Sequence, residues 1–387
     1  MNAIVASLAL LLLAACASAP LEIRREDLFR DSAFGPPVRT LSRAEIFSLS
    51  PVMKSYLEQD ISREARVKGR IHGLIDTLYT PGQLRLDYDS TYTRTAREAF
   101  DSRSGNCLSL VIMTAAFARE MGLPVRFHNV WTEETWTRSG GVLFASGHVN
   151  LTMGSINSST RTRIGEAAPL TVDFVRPDPN FLQRSWEIGE QTIAAMFMNN
   201  RAAEGLARGN LAEAYWWVRA AIDEDPRFFA AHNTLGVIYR RQGNLEQAER
   251  VLRYVLAREP GNLNAMSNLA IVLEGAGRTA ESVQLAREVE RLRPFPPFHF
   301  FDLGMGAMRD KDYPKARDLF LKEVERAAYN PDFHFWLGAA YVGLGDLKRA
   351  QQHLAMAVEN STTGRDHAIY AAKLDWIRHQ ESPRNAR

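Results

Sequence analysis

The second half of the chain repeats a pattern of small and apolar residues every 34 positions, and this period limits the folds open to it. Four positions of the repeat show the period. A glycine recurs at Gly209, Gly243, Gly277 and Gly345, with Asp312 beside the empty slot at Lys311, and an alanine recurs at Ala214, Ala248, Ala316 and Ala350, with Ser282 in the remaining slot. A leucine recurs at Leu235, Leu269, Leu303 and Leu337, and the residue after it is Gly236, Ala270, Gly304 or Gly338. Small residues let two helices cross closely, and each helical hairpin keeps an apolar face that only its neighbour can cover. The period predicts an all-α solenoid over residues 195–364, in five units.

This repeat resembles the tetratricopeptide repeat (TPR) family, in which paired helices stack into a curved solenoid. The resemblance implies a concave groove that docks a protein or peptide partner. Residues 365–387 follow the last unit. Ile369, Leu374 and Ile377 recur there at helical spacing and predict a capping helix before a short tail.

The N-terminus has the pattern of a processing segment. Residues 3–15 are uncharged and too short to span a bilayer, which takes about 20 residues, so 1–15 predict a signal peptide. The run ends in Leu13-Ala14-Ala15-Cys16, which resembles the lipobox of bacterial lipoproteins and implies that Cys16 is lipidated. An ordinary secretory signal with a chance cysteine is the alternative. The polar, proline-bearing residues 16–41 predict a tether.

The lipobox resemblance also implies a location. The protein would be anchored in the bacterial cell envelope through its N-terminal lipid and face the periplasm. Ala17, rather than an aspartate, follows the cysteine, and this favours the outer membrane. The protein would then contact the membrane only through this N-terminal lipid.

Residues 42–190 change in character along their length. Apolar residues recur at helical spacing over 62–79, and further helices are expected over 95–102 and 108–121. Strand-like runs follow at 125–131, 142–153 and 170–175, separated by Gly, Ser and Asn residues that are typical of turns. Helices followed by a few antiparallel strands predict an α+β domain.

The chain has two cysteines, so lipidation of Cys16 leaves Cys107 as the single free thiol. Exported cysteines are commonly paired, and an unpaired one is either buried and inert or reactive. Cys107 directly precedes the predicted helix at 108–121, where the helix dipole favours a thiolate. A histidine, His148, follows in one predicted strand, and an aspartate, Asp173, in the next.

The order Cys, His, Asp is the layout of a nucleophile, a base and a residue that orients the base. His148 lies among small residues that leave room for the ring, and Asp173 would hold its far nitrogen. His128 on the preceding strand is a rival base, but no acid follows it at suitable spacing. A core cysteine and a structural strand histidine are the non-catalytic alternatives.

These residues carry a second family resemblance. Gly105-Asn106-Cys107 and the helix ending Ala118-Arg119-Glu120-Met121-Gly122-Leu123-Pro124-Val125 resemble the transglutaminase-like (papain-like thiol) superfamily over about 85–180. The resemblance implies that Cys107, His148 and Asp173 form the catalytic triad. The chain departs from the family at Asn150, where a tryptophan is common, and at Leu108, where the family often has an aromatic or polar residue.

Acyl transfer also needs donors for an oxyanion. The backbone N–H of Cys107 is the natural one. Asn106, Tyr92 and Trp136 are candidates for a side-chain donor, and the sequence does not choose among them.

Other chemistries find no support in the sequence. A formal net charge of +2 gives no reason to expect nucleic acid. There is no glycine-rich phosphate loop, C-x-x-C or H-E-x-x-H, so neither a cofactor nor a metal is expected. The leading hypothesis is a lipid-anchored periplasmic thiol enzyme that acts on amide bonds, by hydrolysis or by transglutaminase-type acyl transfer. The alternative is a non-catalytic TPR scaffold lipoprotein with a relic transglutaminase-like domain.

Overall fold

A computed structural model describes residues 23–80, 84, 87–139, 142–154, 168–174, 184–328 and 330–381, with the backbone alone for 131–139 and 142–146. The predicted signal peptide and Cys16 lie outside these residues. The first domain contains short helices α1 (Arg43–Ile46), α2 (Pro51–Tyr56), α3 (Ser62–Lys68), α4 (Arg70–Tyr79) and α5 (Ala96–Ser102), then the longer α6 (Cys107–Glu120). Strand β1 (Asp87–Tyr88) pairs in parallel with β2 (Ser104–Gly105).

A four-stranded antiparallel sheet packs beside α6. Its strands are β3 (Val125–Ser139), β4 (Val142–Met153), β5 (Leu170–Val172) and β6 (Arg184–Ile188), in the order β5-β4-β3-β6. Every residue from Leu108 to Ala118 is buried, so α6 is the central helix of this domain. β6 was not predicted from the sequence, because four of its residues in a row are exposed and show no alternation: Arg184, Ser185, Trp186 and Glu187.

Eleven described helices follow in a regular series. The first ten form five hairpins, and α17 closes the series: α7 (Glu190–Ala207) with α8 (Leu211–Glu224), α9 (Phe229–Gln242) with α10 (Leu245–Arg258), α11 (Leu263–Gly275) with α12 (Thr279–Leu292), α13 (His299–Arg309) with α14 (Tyr313–Arg326), α15 (Pro331–Gly343) with α16 (Leu347–Glu359), and α17 (Gly364–Glu381). The periodic glycines at 209, 243, 277 and 345 all have φ between 77° and 89° and make the turn inside each hairpin. Lys311 takes the same left-handed conformation in the slot that lacks glycine.

The hairpins do not form one continuous stack. Helices α7 to α11 share a hydrophobic core with the first domain, whereas α13 to α17 have a core of their own. Helices α12 and α13 hardly touch across this break. The first block is defined as the N-terminal domain with hairpins one to three, and the second block as hairpins four and five with α17.

Part of the predicted tether is packed rather than free. Within residues 23–34, Leu28 is fully buried and Phe34 stacks on Tyr215 with ring centroids 3.9 Å apart. The Tyr239 hydroxyl donates a hydrogen bond of 2.9 Å to the Leu28 carbonyl. These contacts fix the N-terminal segment against the first two hairpins. None of the helices in the described part of the chain has the length and apolarity needed to cross a bilayer.

Candidate thiol site

The turn that presents Cys107 is tightly held. Asn106 is the N-cap of α6: its side-chain oxygen accepts hydrogen bonds from the Ser109 N–H at 2.9 Å and the Ser109 hydroxyl at 2.7 Å. A Cβ at Gly105 would lie 2.8 Å from the Ser109 Cβ, so glycine is the residue that fits. Cys107 is therefore the first residue of a buried helix, with its thiol partly accessible.

His148 and Asp173 form a hydrogen-bonded pair on the neighbouring sheet, with the histidine buried and the aspartate partly exposed. His148 lies on β4 and is only 6% exposed, and Asp173 directly follows β5. The His148 Nε2 is 2.7 Å from Oδ1 and 2.8 Å from Oδ2 of Asp173. Nε2 is engaged by the carboxylate, and the Cys107 side chain lies near enough to act on the imidazole electrostatically. The structure thus brings the three predicted residues together.

The surroundings of His148 favour its charged form. Burial acts to lower the pKa of His148, but the hydrogen-bonded carboxylate of Asp173 and the nearby Cys107 outweigh it and raise the pKa to about 9. An unperturbed histidine has a pKa of about 6.5. An imidazole that holds its proton at neutral pH beside a thiol favours transfer of the thiol proton to the ring. The arrangement can therefore hold a thiolate–imidazolium pair that Asp173 orients.

Two further residues lie beside this group, and neither was assigned a role from the sequence. Asn150, two residues after His148 on the same face of β4, donates from Nδ2 to Asp173 Oδ2 at 3.2 Å. It thus helps to orient the carboxylate from the position where the resembling family often has tryptophan. Tyr88 on β1 pairs with Gly105, two residues before Cys107, and lies near enough for burial and the Cys107 charge to raise its pKa. A two-residue strand has no periodic signal, which explains why Tyr88 was missed.

The other sequence candidates lie elsewhere or are occupied. His128 has its Nδ1 3.5 Å from the Thr152 hydroxyl, at the limit of a hydrogen bond. Tyr92 is 47% exposed. The Asn106 amide donates to the Thr93 hydroxyl at 3.0 Å and caps α6 with its oxygen, so both ends of the side chain are in use. The Trp136 side chain lies outside the described residues.

The repeats brace the loop that leads to the thiol. In α7, Glu204 accepts a 2.7 Å hydrogen bond from the Thr93 N–H, and Arg201 donates to the Thr93 carbonyl at 3.3 Å. From the far end of the chain, the Thr362 carbonyl accepts from the Ser90 N–H at 2.9 Å. Both blocks therefore contact the segment between Tyr88 and α6. Within the described ranges, no three His, Cys, Asp or Glu side chains are grouped to hold a metal ion.

Comparison with known proteins identifies the repeats. A tetratricopeptide repeat family model matches residues 233–297 and again 301–364. The chain is 24% identical over 185 residues to the TPR repeat-containing protein YvcD of Bacillus subtilis (strain 168), which is 47% of this chain and 37% of that one. It thus spans little more than a third of that relative's length. The prediction of tetratricopeptide repeats is confirmed for residues 233–297 and 301–364, and the division into five units over 195–364 stays a prediction.

Solved structures align with about half of the chain. They include pilF of Pseudomonas aeruginosa (19% identity, 50% of this chain, 88% of that one, TM-score 0.29) and MamA of Desulfovibrio magneticus RS-1 (20%, 43%, 94%, 0.26). A thermophilic TPR protein of Thermus thermophilus aligns over 47% of this chain and 99% of its own length, at 20% identity and a TM-score of 0.29.

Proposed function

We propose that this chain is a protein-binding repeat scaffold whose N-terminal domain carries a thiol acyl-transfer site. Tetratricopeptide repeats generally bind protein partners, and the matched segments 233–297 and 301–364 support the binding part. The catalytic part rests on one observation, the placement of His148 between Asp173 and Cys107. The transglutaminase-like resemblance assigns nucleophile, base and orienting residue to the same three side chains.

The proposed reaction begins at an amide carbonyl of a protein or peptide. The thiolate of Cys107 forms a C–S bond to the carbonyl carbon, and the electron pair moves to the oxygen, which the Cys107 N–H stabilises. The C–N bond then breaks, and the leaving amine takes the proton from His148. Water or another amine resolves the thioester, so the site serves hydrolysis or ligation according to which nucleophile reaches it.

A location in the cell envelope is part of the proposal. The leader and the lipobox-like sequence around Cys16 support lipid anchoring on the periplasmic side, with the outer membrane favoured. Docking of residues 23–34 on the first hairpins would then hold the repeats close to the anchor. Metabolic labelling with a radioactive fatty acid, compared between the full chain and Cys16→Ala, tests this part: equal incorporation would contradict it.

The second candidate is a scaffold with a relic thiol domain. It is favoured by the comparisons, since both matches to the family model lie in the repeats. Leu108 and Asn150 also depart from the pattern of the resembling family. A relic site has no reason to keep a thiolate at neutral pH, and this difference can be measured.

The deciding experiment is the rate of iodoacetamide labelling of Cys107 from pH 5 to 9 in the leader-free protein. We expect labelling at pH 6 to be more than about tenfold faster than in His148→Ala, because an ordinary thiol is well under about 1% ionised there. Asp173→Asn should fall between the two, and His128→Ala, a matched strand histidine, should equal the native protein. Labelling at pH 6 that is unchanged in His148→Ala would support the relic scaffold.

A further inference from the structure

Asn150 and His148 hold the Asp173 carboxylate from the same strand. Asn150 lies on the same face of β4 as His148, two residues farther along, and is only 7% exposed. Its Nδ2 is 3.2 Å from Oδ2 of Asp173, and Nε2 of His148 is 2.8 Å from the same oxygen and 2.7 Å from Oδ1. Strand β4 therefore fixes both the place of the imidazole and the rotation of the carboxylate that holds it.

The charge of Asp173 determines which way the Asn150 amide points. An ionised carboxylate only accepts hydrogen bonds, so the amide turns its NH2 group toward Asp173. The amide oxygen, Oδ1, then points away, and it is buried without a hydrogen-bond partner among the residues that the structure describes. A buried acceptor that lacks a partner costs free energy. Asn150 therefore holds Asp173 with one end of its amide and costs the sheet stability with the other.

The next residue on this face of β4 shows a different use of a buried polar group. Thr152 is 6% exposed, and its hydroxyl is 2.8 Å from the hydroxyl of Thr171, its register partner on β5. A hydroxyl can donate and accept, so the two threonines satisfy each other. The Thr152 contact joins two strands, whereas the Asn150 contact reaches the carboxylate that orients His148.

We propose that Asn150 is a positioning residue of the thiol site: it holds the Asp173 carboxylate in the rotation that orients His148, and the sheet does not need it for stability. This inference rests on the proposed thiol chemistry. Asn150 contacts the carboxylate and acts on the imidazole only through it. The departure from the resembling family at this position is then functional and is not the mark of a relic site.

The test compares Asn150→Leu, which keeps the shape of the side chain and removes its donor, with the matched control Thr152→Val. The rate of iodoacetamide labelling of Cys107 is measured at pH 6 and pH 9 in the leader-free protein. At pH 6 labelling depends on the imidazolium that holds the thiolate, whereas at pH 9 an ordinary thiol, with a pKa of about 8.5, is largely ionised by itself. We expect Asn150→Leu to label about three- to tenfold more slowly than the native chain at pH 6 and within about twofold of it at pH 9. Thr152→Val should match the native chain at both pH values.

Two further measurements separate positioning from a structural role. In the Asp173→Asn background, Asn150→Leu should change the pH 6 rate by less than about twofold, because Asn150 acts through the carboxylate. The urea midpoint of the first block should be unchanged or higher in Asn150→Leu and lower in Thr152→Val, because only the second substitution breaks a satisfied buried pair.

Each other outcome counts against the inference in a different way. Equal labelling of Asn150→Leu and the native chain at pH 6 overturns the role of Asn150 and leaves the thiol chemistry standing. An equal fall at pH 6 and pH 9, or a lowered urea midpoint, means that Asn150 only builds the sheet, and this too overturns the positioning role. A full effect of Asn150→Leu in the Asp173→Asn background overturns it as well, because the residue then acts on some other group. A native chain that labels no faster at pH 6 than His148→Ala refutes the proposed function, and the inference with it.

Discussion

The two blocks of repeats carry the same sequence period but pack differently. Leu235 and Leu269 in the first block and Leu337 in the second occupy the same repeat position and are at most 2% exposed. Leu303 shares that position in the hairpin next to the break and is 50% exposed. The period therefore specifies which residues form each hairpin, but it does not ensure that a hairpin stacks on the one before it.

The linker between the hairpins explains the difference. Six residues, 293–298, join α12 to α13, whereas four residues join the other hairpins, at 225–228, 259–262 and 327–330. Pro294, Pro296 and Pro297 lie in the longer linker, and Phe298 has a left-handed φ of 64°. A residue that precedes proline disfavours helical backbone, and α13 begins at His299, two residues after the start that the 34-residue period predicts from Leu263.

The largest test of this comparison uses leucine truncations at the shared repeat position. Leu235→Ala should lower the free energy of unfolding of the first block by about 2–5 kcal/mol, because it empties a filled core. Leu337→Ala should do the same to the second block, and Leu303→Ala should cost less than about 1 kcal/mol. Because the two cores are separate, urea unfolding followed by domain-specific hydrogen exchange should resolve two transitions.

Each truncation should move only the transition of its own block. A single transition that Leu235→Ala and Leu337→Ala shift alike would show that the blocks unfold as one unit. A cost of Leu303→Ala equal to that of Leu235→Ala would show that α13 packs on α12 in solution.

The next largest effect is that alkaline pH should lower the stability of the first block and not that of the second, because His148 lies in the first block. Its pKa is raised to about 9 from the ordinary 6.5, so the folded state binds a proton more tightly than the unfolded chain does. The stabilisation is complete below about pH 6.5 and is lost as pH rises to about 9, up to about 3 kcal/mol in all. The first transition should weaken over this window, while the second should not follow it.

His148→Gln is the control, since it removes the titration but keeps a polar side chain. Its first transition should be flat between about pH 6.5 and 9. Acid should destabilise the second block. Burial lowers the pKa of His353 in that block to about 4, so the stability that its neutral form contributes is lost as pH falls from 6.5 through 4. A first transition that keeps its alkaline loss in His148→Gln would assign the loss to another group.

The sequence anticipated the repeats better than the break between them. A 34-residue period predicts the fold of a single hairpin, because each hairpin contains the small and apolar residues that pack between its own two helices. Whether hairpin four stacks on hairpin three depends on the direction that the linker 293–298 gives to α13. Leu303 occupies its repeat position in the sequence whether or not the preceding hairpin buries it. The same reasoning applies to the thiol site. The order of Cys107, His148 and Asp173 could be read from the predicted elements. The pairing of Tyr88 with Gly105, two residues before the cysteine, could not, because a strand of two residues has no periodic signal.

The smallest predicted effect concerns the contact by which the second block returns to the first. The Ser90 hydroxyl donates to the Thr362 hydroxyl at 2.9 Å, beside the backbone hydrogen bond between the same residues. A double-mutant cycle of Ser90→Ala and Thr362→Val should give a coupling energy of about 0.5–1.5 kcal/mol, the usual worth of one such bond. The reference pair is Ser102→Ala with Thr362→Val, because Ser102 bonds within its own turn. Coupling of zero would mean that this side-chain hydrogen bond is not formed in solution. Coupling in the expected range would mean that the second block stays docked on the loop that leads to the thiol.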